Sequence, residues 1–129
     1  MKEIKQYTYL EVWSKSKEMA SEANSLTKLF PFIEFFRLTL QIRRMSVIVP
    51  TKIAEGSKKT SSDEIIKILF GAKNALYKLE NQFNDAFNQR YISLIQFNHI
   101  NDQIVDCKKM ISNYINSYQI NNSNSTNIL

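Results

Sequence analysis

Glycine and proline are nearly absent from this sequence, with two of each in 129 residues. Sandwiches, barrels and loop-rich folds need turn-forming residues every few positions, so this scarcity argues against them and favours an all-helical chain. A single cysteine excludes an internal disulfide framework. Cys107 falls inside a helical apolar pattern and reads as a buried thiol in a reducing compartment. Long apolar runs are missing too: the opening "MKEIKQYTYLEVW" offers no signal-peptide core, and no stretch approaches transmembrane length. The expected location is the cytoplasm. There is no Gly-rich phosphate loop, nucleophile motif or zinc-ligand spacing, so enzyme is the least supported class and no cofactor is implied. His99, Asp102 and Asp106 share a helical face, but no third strong ligand on another helix matches them, and exposed faces commonly carry such residues.

What is present is a repeated helical rhythm in a chain that is 43% hydrophobic, enough for one domain with one core. Ile65, Leu69, Ala72, Leu76, Leu79, Phe83 and Ala86 recur at intervals of four and three, which lines one helix face. Phe97, Ile100, Ile104, Cys107, Ile111, Tyr114 and Tyr118 repeat that pattern. Val12, Met19, Ala23, Leu26 and Phe30 carry it in a first segment, with Ser16 in an apolar slot. Phe35, Leu38, Ile42, Met45 and Val49 carry it in a second. Thr8 with Glu11, Ser61 with Glu64 and Ser93 with Gln96 fit the capping-box spacing that satisfies the free N–H groups of a helix start. Pro31 separates the first two helices, Gly56 ends the second, and "NQRYIS" turns into the fourth. Helices are therefore expected near 9–30, 33–56, 61–89 and 93–118. Short connections make sequential helices antiparallel neighbours, giving an up-down-up-down antiparallel four-helix bundle over residues 1–118. The polar, uncharged "QINNSNSTNIL" reads as a flexible tail over 119–129.

The formal net charge of +5 has an address along the chain. Residues 1–36 hold five Lys and five Glu, and residues 60–129 hold six cations and six carboxylates. Between them, Arg37, Arg43, Arg44, Lys52, Lys58 and Lys59 face Glu55 alone, so 6 − 1 = +5 sits in helix two and the loop after it. Such a local excess is the footprint of a surface that meets a polyanion; its plainer alternative is a solvated basic face. Arg43 and Arg44 are rotated by about 100° from each other, so one is expected inside and one exposed. Glu80 is a candidate partner for Arg44 if helices two and three pack in that register. Pro50 removes the hydrogen bond to the Ser46 carbonyl, so helix two either kinks there or restarts.

Read together, "YLEVW" (9–13), "LTKLFPFIE" (26–34), "LQIRRMSVIVPTKIAEG" (40–56), "KNALYKLENQF" (73–83) and "RYIS" (90–93) resemble the bacterial four-helix-bundle proteins encoded in intervening sequences of 23S ribosomal RNA genes. The same fold serves the accessory variability proteins of diversity-generating retroelements. The resemblance implies a homopentameric ring without enzymatic activity, and, from the retroelement relatives, a basic surface that binds nucleic acid and a reverse transcriptase. The chain departs from the family at Met45, where a small residue is usual, at Ile48 for Ser, at Lys52 for Asn and at Lys78 for an acidic residue.

Trp13, Tyr7, Tyr9, Phe32, Phe35, Phe36 and Phe70 exceed what the heptad faces can bury, so some are expected between subunits; Trp13 fits the monomer core equally well. Two function classes remain. One is a non-enzymatic oligomeric bundle binding RNA or DNA backbone through Arg37, Arg43, Arg44, Lys52, Lys58 and Lys59, with the resemblance implying an accessory role to a ribosomal RNA insertion or retroelement. The other is a structural or adaptor oligomer whose basic strip meets an acidic protein partner. A membrane role ranks below both, because no clean insertion face flanks the basic residues.

Overall fold

A computed structural model describes the backbone of residues 2–128 and the side chains of residues 8–120. Four helices account for it: α1 (Lys2–Thr27), α2 (Leu40–Ser57), α3 (Ser62–Asn88) and α4 (Leu94–Ile128), with no strand among the described residues. A 3₁₀ turn (Phe32–Glu34) and a five-residue π-helical segment (Phe35–Thr39) lead into α2. Contacts join α1 to α2, α2 to α3, α3 to α4 and α4 back to α1, closing the four helices around one core.

The periodic residues fill that core. All seven apolar positions marked on α3 are buried, as are Val12, Met19, Ala23, Leu26 and Phe30 from the first segment. Ile100, Ile104, Cys107, Ile111, Tyr114 and Tyr118 are buried on α4, while Phe97 packs half-buried against them. Each Leu or Ile so placed contributes on the order of 1.5–3 kcal/mol relative to an exposed one. Ser16 and Ser46 are fully buried without orphaning their hydroxyls, which donate to the carbonyls of Trp13 and Arg43 three residues back. On α2 the buried face runs through Ile42, Ser46, Val49 and Ile53, and Met45 lies only half-buried beside it.

Several boundaries differ from the sequence reading. α1 begins at Lys2, so Thr8 and Glu11 lie inside it and form no helix-start box. Ser61 occupies the N-cap of α3 but makes no side-chain cap bond. Ser93 and Gln96 do form the reciprocal box: the Ser93 N–H donates to Gln96 Oε1 at 2.8 Å, and the Gln96 N–H to Ser93 Oγ at 3.1 Å. α2 runs unbroken through Pro50 and ends at Ser57, with Lys58 as C-cap. Gly56 has no left-handed φ and is buried, its α-carbon facing Ile68. α3 closes through a Schellman pattern with Arg90 in the left-handed region (φ 64°), its N–H donating to Phe87 O and that of Tyr91 to Ala86 O. α4 continues to Ile128, so its backbone is helical where a tail was expected from 119 onward. Side chains beyond Ile120, like that of Tyr7, lie outside the described residues.

Candidate nucleic-acid interface

The six cations of the middle segment do not form one strip. Arg37, in the π segment, is clamped: its Nε and Nη2 donate to the two oxygens of Glu34, and Nη1 donates to Asp85 Oδ2 at 2.7 Å. The Arg37 hydrogen bond is also the main reason the Glu34 carboxyl sits below its ordinary range, with a hydrogen bond from Tyr91 adding to it against the opposing effect of burial. Arg43 is the inward member of the pair, half-buried, with Nε donating to the hydroxyl of buried Thr27 at 2.9 Å. Arg44 is exposed, as the 100° offset requires. Its suggested partner Glu80 instead accepts from Lys108 at 2.6 Å, because α4 rather than α2 approaches that carboxylate.

The remaining lysines divide between two faces. Lys52 and Lys59 line the groove between α2 and α3 together with Glu55, Glu64 and Lys67. Lys58 lines the groove between α1 and α2 with Trp13, Lys17 and Pro50. Lys17 itself lies 4.2 Å from the centre of the Trp13 ring, which together with Tyr9 packs half-buried on the core. Trp13 thus lies at the edge of the core with part of its ring lining the α1–α2 groove.

Packing of α2 on α3 brings in cations that a count along the chain overlooks. The Gln41 side chain meets Gln82, and the stem of Lys52 lies over Gly71, where an added Cβ would be 3.6 Å from Lys52 Cε. In that antiparallel register Arg44 comes level with Lys78, both exposed, while Lys67 comes level with the end of α2. Lys52, Lys59 and Lys67 thus share one groove with Glu55 and Glu64, and the register extends this side of α2 and α3 toward exposed Arg44 and Lys78, Arg44 also lining a shallow groove with Arg43, Val47 and Ile48. Lys52 is partly occupied by Glu55 at 3.5 Å. The missing signal was helical: positions 67, 71, 74 and 78 recur at four, three and four residues, a stripe with lysine at both ends and glycine within it.

Such a face presents one guanidinium and four ammonium groups on a helical surface, all hydrogen-bond donors of the kind that can meet anionic oxygens. Burial pushes the Cys107 thiol up to about 12, so it remains protonated and packs as an apolar group. His99, Asp102 and Asp106 are exposed, and among the described residues no group of three or more His, Cys, Asp or Glu could hold a metal ion. No described helix is long and apolar enough to cross a membrane.

The sequence model of the 23S rRNA-intervening sequence proteins matches residues 8–113, which takes in α1 from Thr8 and reaches Asn113 on α4. The chain belongs to the 23S rRNA-intervening sequence protein family. No curated protein matches it. Within this family member, the Arg-Arg, Pro and Ile-Ala-Glu-Gly signature lies entirely on α2, and the structure gives those residues distinct tasks. Arg43 ties α2 to Thr27 at the end of α1, Ile53 and Gly56 are buried, and Arg44 faces solvent.

Proposed function

We propose that this family member is a non-enzymatic, oligomeric bundle that binds the phosphate backbone of RNA or DNA through the α2–α3 face. The observation that carries this reading is the set of five cations, Arg44, Lys52, Lys59, Lys67 and Lys78, against two carboxylates along that side of α2 and α3. Each phosphate neutralised releases condensed counterions, so five contacts would give log K against log salt a slope of about −3.5 to −4.5. Family resemblance supports a homopentameric ring, in which five weak faces share one polyanion and gain by avidity. It also supports a role as accessory to a ribosomal RNA insertion or a retroelement, with a reverse transcriptase as one protein partner.

A second reading is an adaptor oligomer that meets an acidic protein surface. It is favoured by the internal use of Arg37, Arg43 and Lys52, which lowers the charge left for phosphates. Fluorescence anisotropy with a labelled structured RNA and a DNA duplex separates the two, measured at low and moderate salt against Arg44→Glu/Lys59→Glu/Lys78→Glu. Equal oligomeric mass of variant and wild type is checked first by light scattering. Binding that weakens steeply with salt and is lost in the variant is the expected result. A wild-type oligomer that ignores both nucleic acids at low salt rejects the first reading in favour of a protein partner.

A further inference from the structure

A second groove, between α3 and α4, is lined by Lys73, Lys108 and Lys109 together with Tyr77 and Ser112. Its volume of about 460 Å³ lies within the range of sites that take a small organic group. Among the described residues no carboxylate lines it, and Asp102 and Asp106 on α4 are exposed outside it. One carboxylate, Glu80, accepts from Lys108 at 2.6 Å, which leaves 3 − 1 = +2 in the groove. Two aromatic side chains on α3 stand in solvent here, Phe70 41% and Tyr77 47% exposed. Lys73 Nζ lies 6.0 Å from the centre of the Phe70 ring and Lys108 Nζ 4.6 Å from that of Tyr77, so each ring has a lysine of the groove beside it. We infer that this groove is a site for unpaired nucleotides: Tyr77 and Phe70 stack bases of a single strand while Lys73, Lys108 and Lys109 hold its phosphates.

The pairing of ring with ammonium selects this occupant. A duplex keeps its base faces inside its own stack and offers phosphates alone, for which an aromatic ring has no use. A strand with free bases uses both groups, since every base has a face to stack and every nucleotide a phosphate. An acidic protein surface answers the lysines but presents no row of flat rings at regular spacing. Phe70 and Tyr77 are seven residues apart, two turns along one helix face and about 10 Å along the axis. That distance matches bases about three steps of 3.4 Å apart on one strand. Cations and carboxylates of residues 60–129 balance along the sequence, so the groove exists as a positive site only after folding gathers its lysines. The inference rests on the nucleic-acid reading for the class of ligand and adds a site on a different groove, specific for unpaired bases.

The test is fluorescence anisotropy on the full chain, with labelled oligouridylate and oligothymidylate of about 12 nucleotides and a labelled DNA duplex. Wild type is compared with Phe70→Leu/Tyr77→Leu, with Lys73→Glu/Lys109→Glu, and with Arg44→Glu/Lys59→Glu/Lys78→Glu from the α2–α3 face. The replaced rings are exposed, and circular dichroism and light scattering check fold and mass. Loss of both rings should weaken single-strand binding by about thirtyfold or more and leave duplex binding within about twofold. A bromouridine-containing strand should crosslink to Tyr77 or Phe70 under ultraviolet light, as read by mass spectrometry. A ring variant that binds the strands like wild type overturns the inference; if the α2–α3 variant then loses binding, the proposed function stands without it. Strand binding lost in the ring variant but kept in the α2–α3 variant upholds the groove and moves the interface to it. Wild type that binds neither nucleic acid rejects both. Wild type that binds polyglutamate in place of the strands overturns the inference in favour of an acidic protein, and a ring variant of lower mass than wild type overturns it in favour of a contact between subunits.

Discussion

Between α2 and α3 the chain reverses through Lys58, Lys59, Thr60 and Ser61, without one apolar side chain, whereas the reversal between α1 and α2 carries Leu29, Phe30, Phe32, Ile33, Phe35 and Phe36. Both connections serve the same geometric purpose, returning the chain antiparallel to a neighbouring helix. A helix reversal therefore has no need of exposed aromatic residues, and only Phe30 among these is buried. The opposite end shows how little chemistry the fold itself demands. What the apolar end carries beyond that is available for contact with something else.

The contrast can be broken most severely at Phe30, whose buried ring ties the α1 exit to Tyr91. Phe30→Ala should lower stability by about 3–5 kcal/mol, against less than about 0.5 kcal/mol for exposed Lys59→Ala, both read by urea denaturation. Helix ends sharpen it next. Arg90 holds a left-handed conformation that costs a non-glycine residue about 1–2 kcal/mol, so Arg90→Gly should raise the denaturation midpoint. Lys58, capping α2 at φ −88°, pays no such cost, so Lys58→Gly should give no gain.

The two serine caps differ in the same way. Ser93→Ala removes a reciprocal box and should cost about 1 kcal/mol. Ser61→Ala, at a position without a side-chain cap bond, should cost only a few tenths, on the order of 0.3 kcal/mol; paired thermal melts would show the two equal if the caps are equivalent. The smallest effect concerns acid. Glu34 has its folded pKa below the ordinary 4.5, chiefly through Arg37, so its ionised form stabilises the fold above that value and the gain is lost as pH falls through the depressed one. Glu34→Gln should flatten stability between pH 5 and pH 3, roughly the carboxylate range, and an unchanged acid profile would show that the half-exposed Arg37 clamp is fully screened.

Periodicity made the interior readable: the spacing from Ile65 to Ala86 names residues that are all buried, and Ser16 occupies the apolar slot in which it was noticed. The offset of Arg43 from Arg44 likewise anticipates one inward and one outward side chain. Local signals fared worse where a motif can occur without its context. Thr8 and Glu11 have cap spacing yet sit within α1, since nothing between Lys2 and Tyr7 breaks a helix. The basic face was only half visible, because adding charges along the chain treats α3 as neutral, while register sets Lys67 and Lys78 beside α2 and leaves Glu80 to Lys108. The partners of Arg37 escaped the count along the chain for a related reason: Asp85, forty-eight residues away, becomes a neighbour only after folding.

The π-helical segment decides which way the apolar end is aimed. Its bond from the Leu40 N–H to the Phe35 carbonyl spans one residue more than an α-helical turn would. That extra residue is a phase shift, so the outward bearing of Phe36 is set independently of the core stripe that begins at Leu38 and Ile42. Removing one residue from this turn should swing the preceding aromatics by about 100° while α2 keeps its seat, a rotation that quenching of a tryptophan placed at position 36 would register. A single insertion or deletion there would thus re-aim one end of the molecule and, with it, the reach of Arg37 to Asp85.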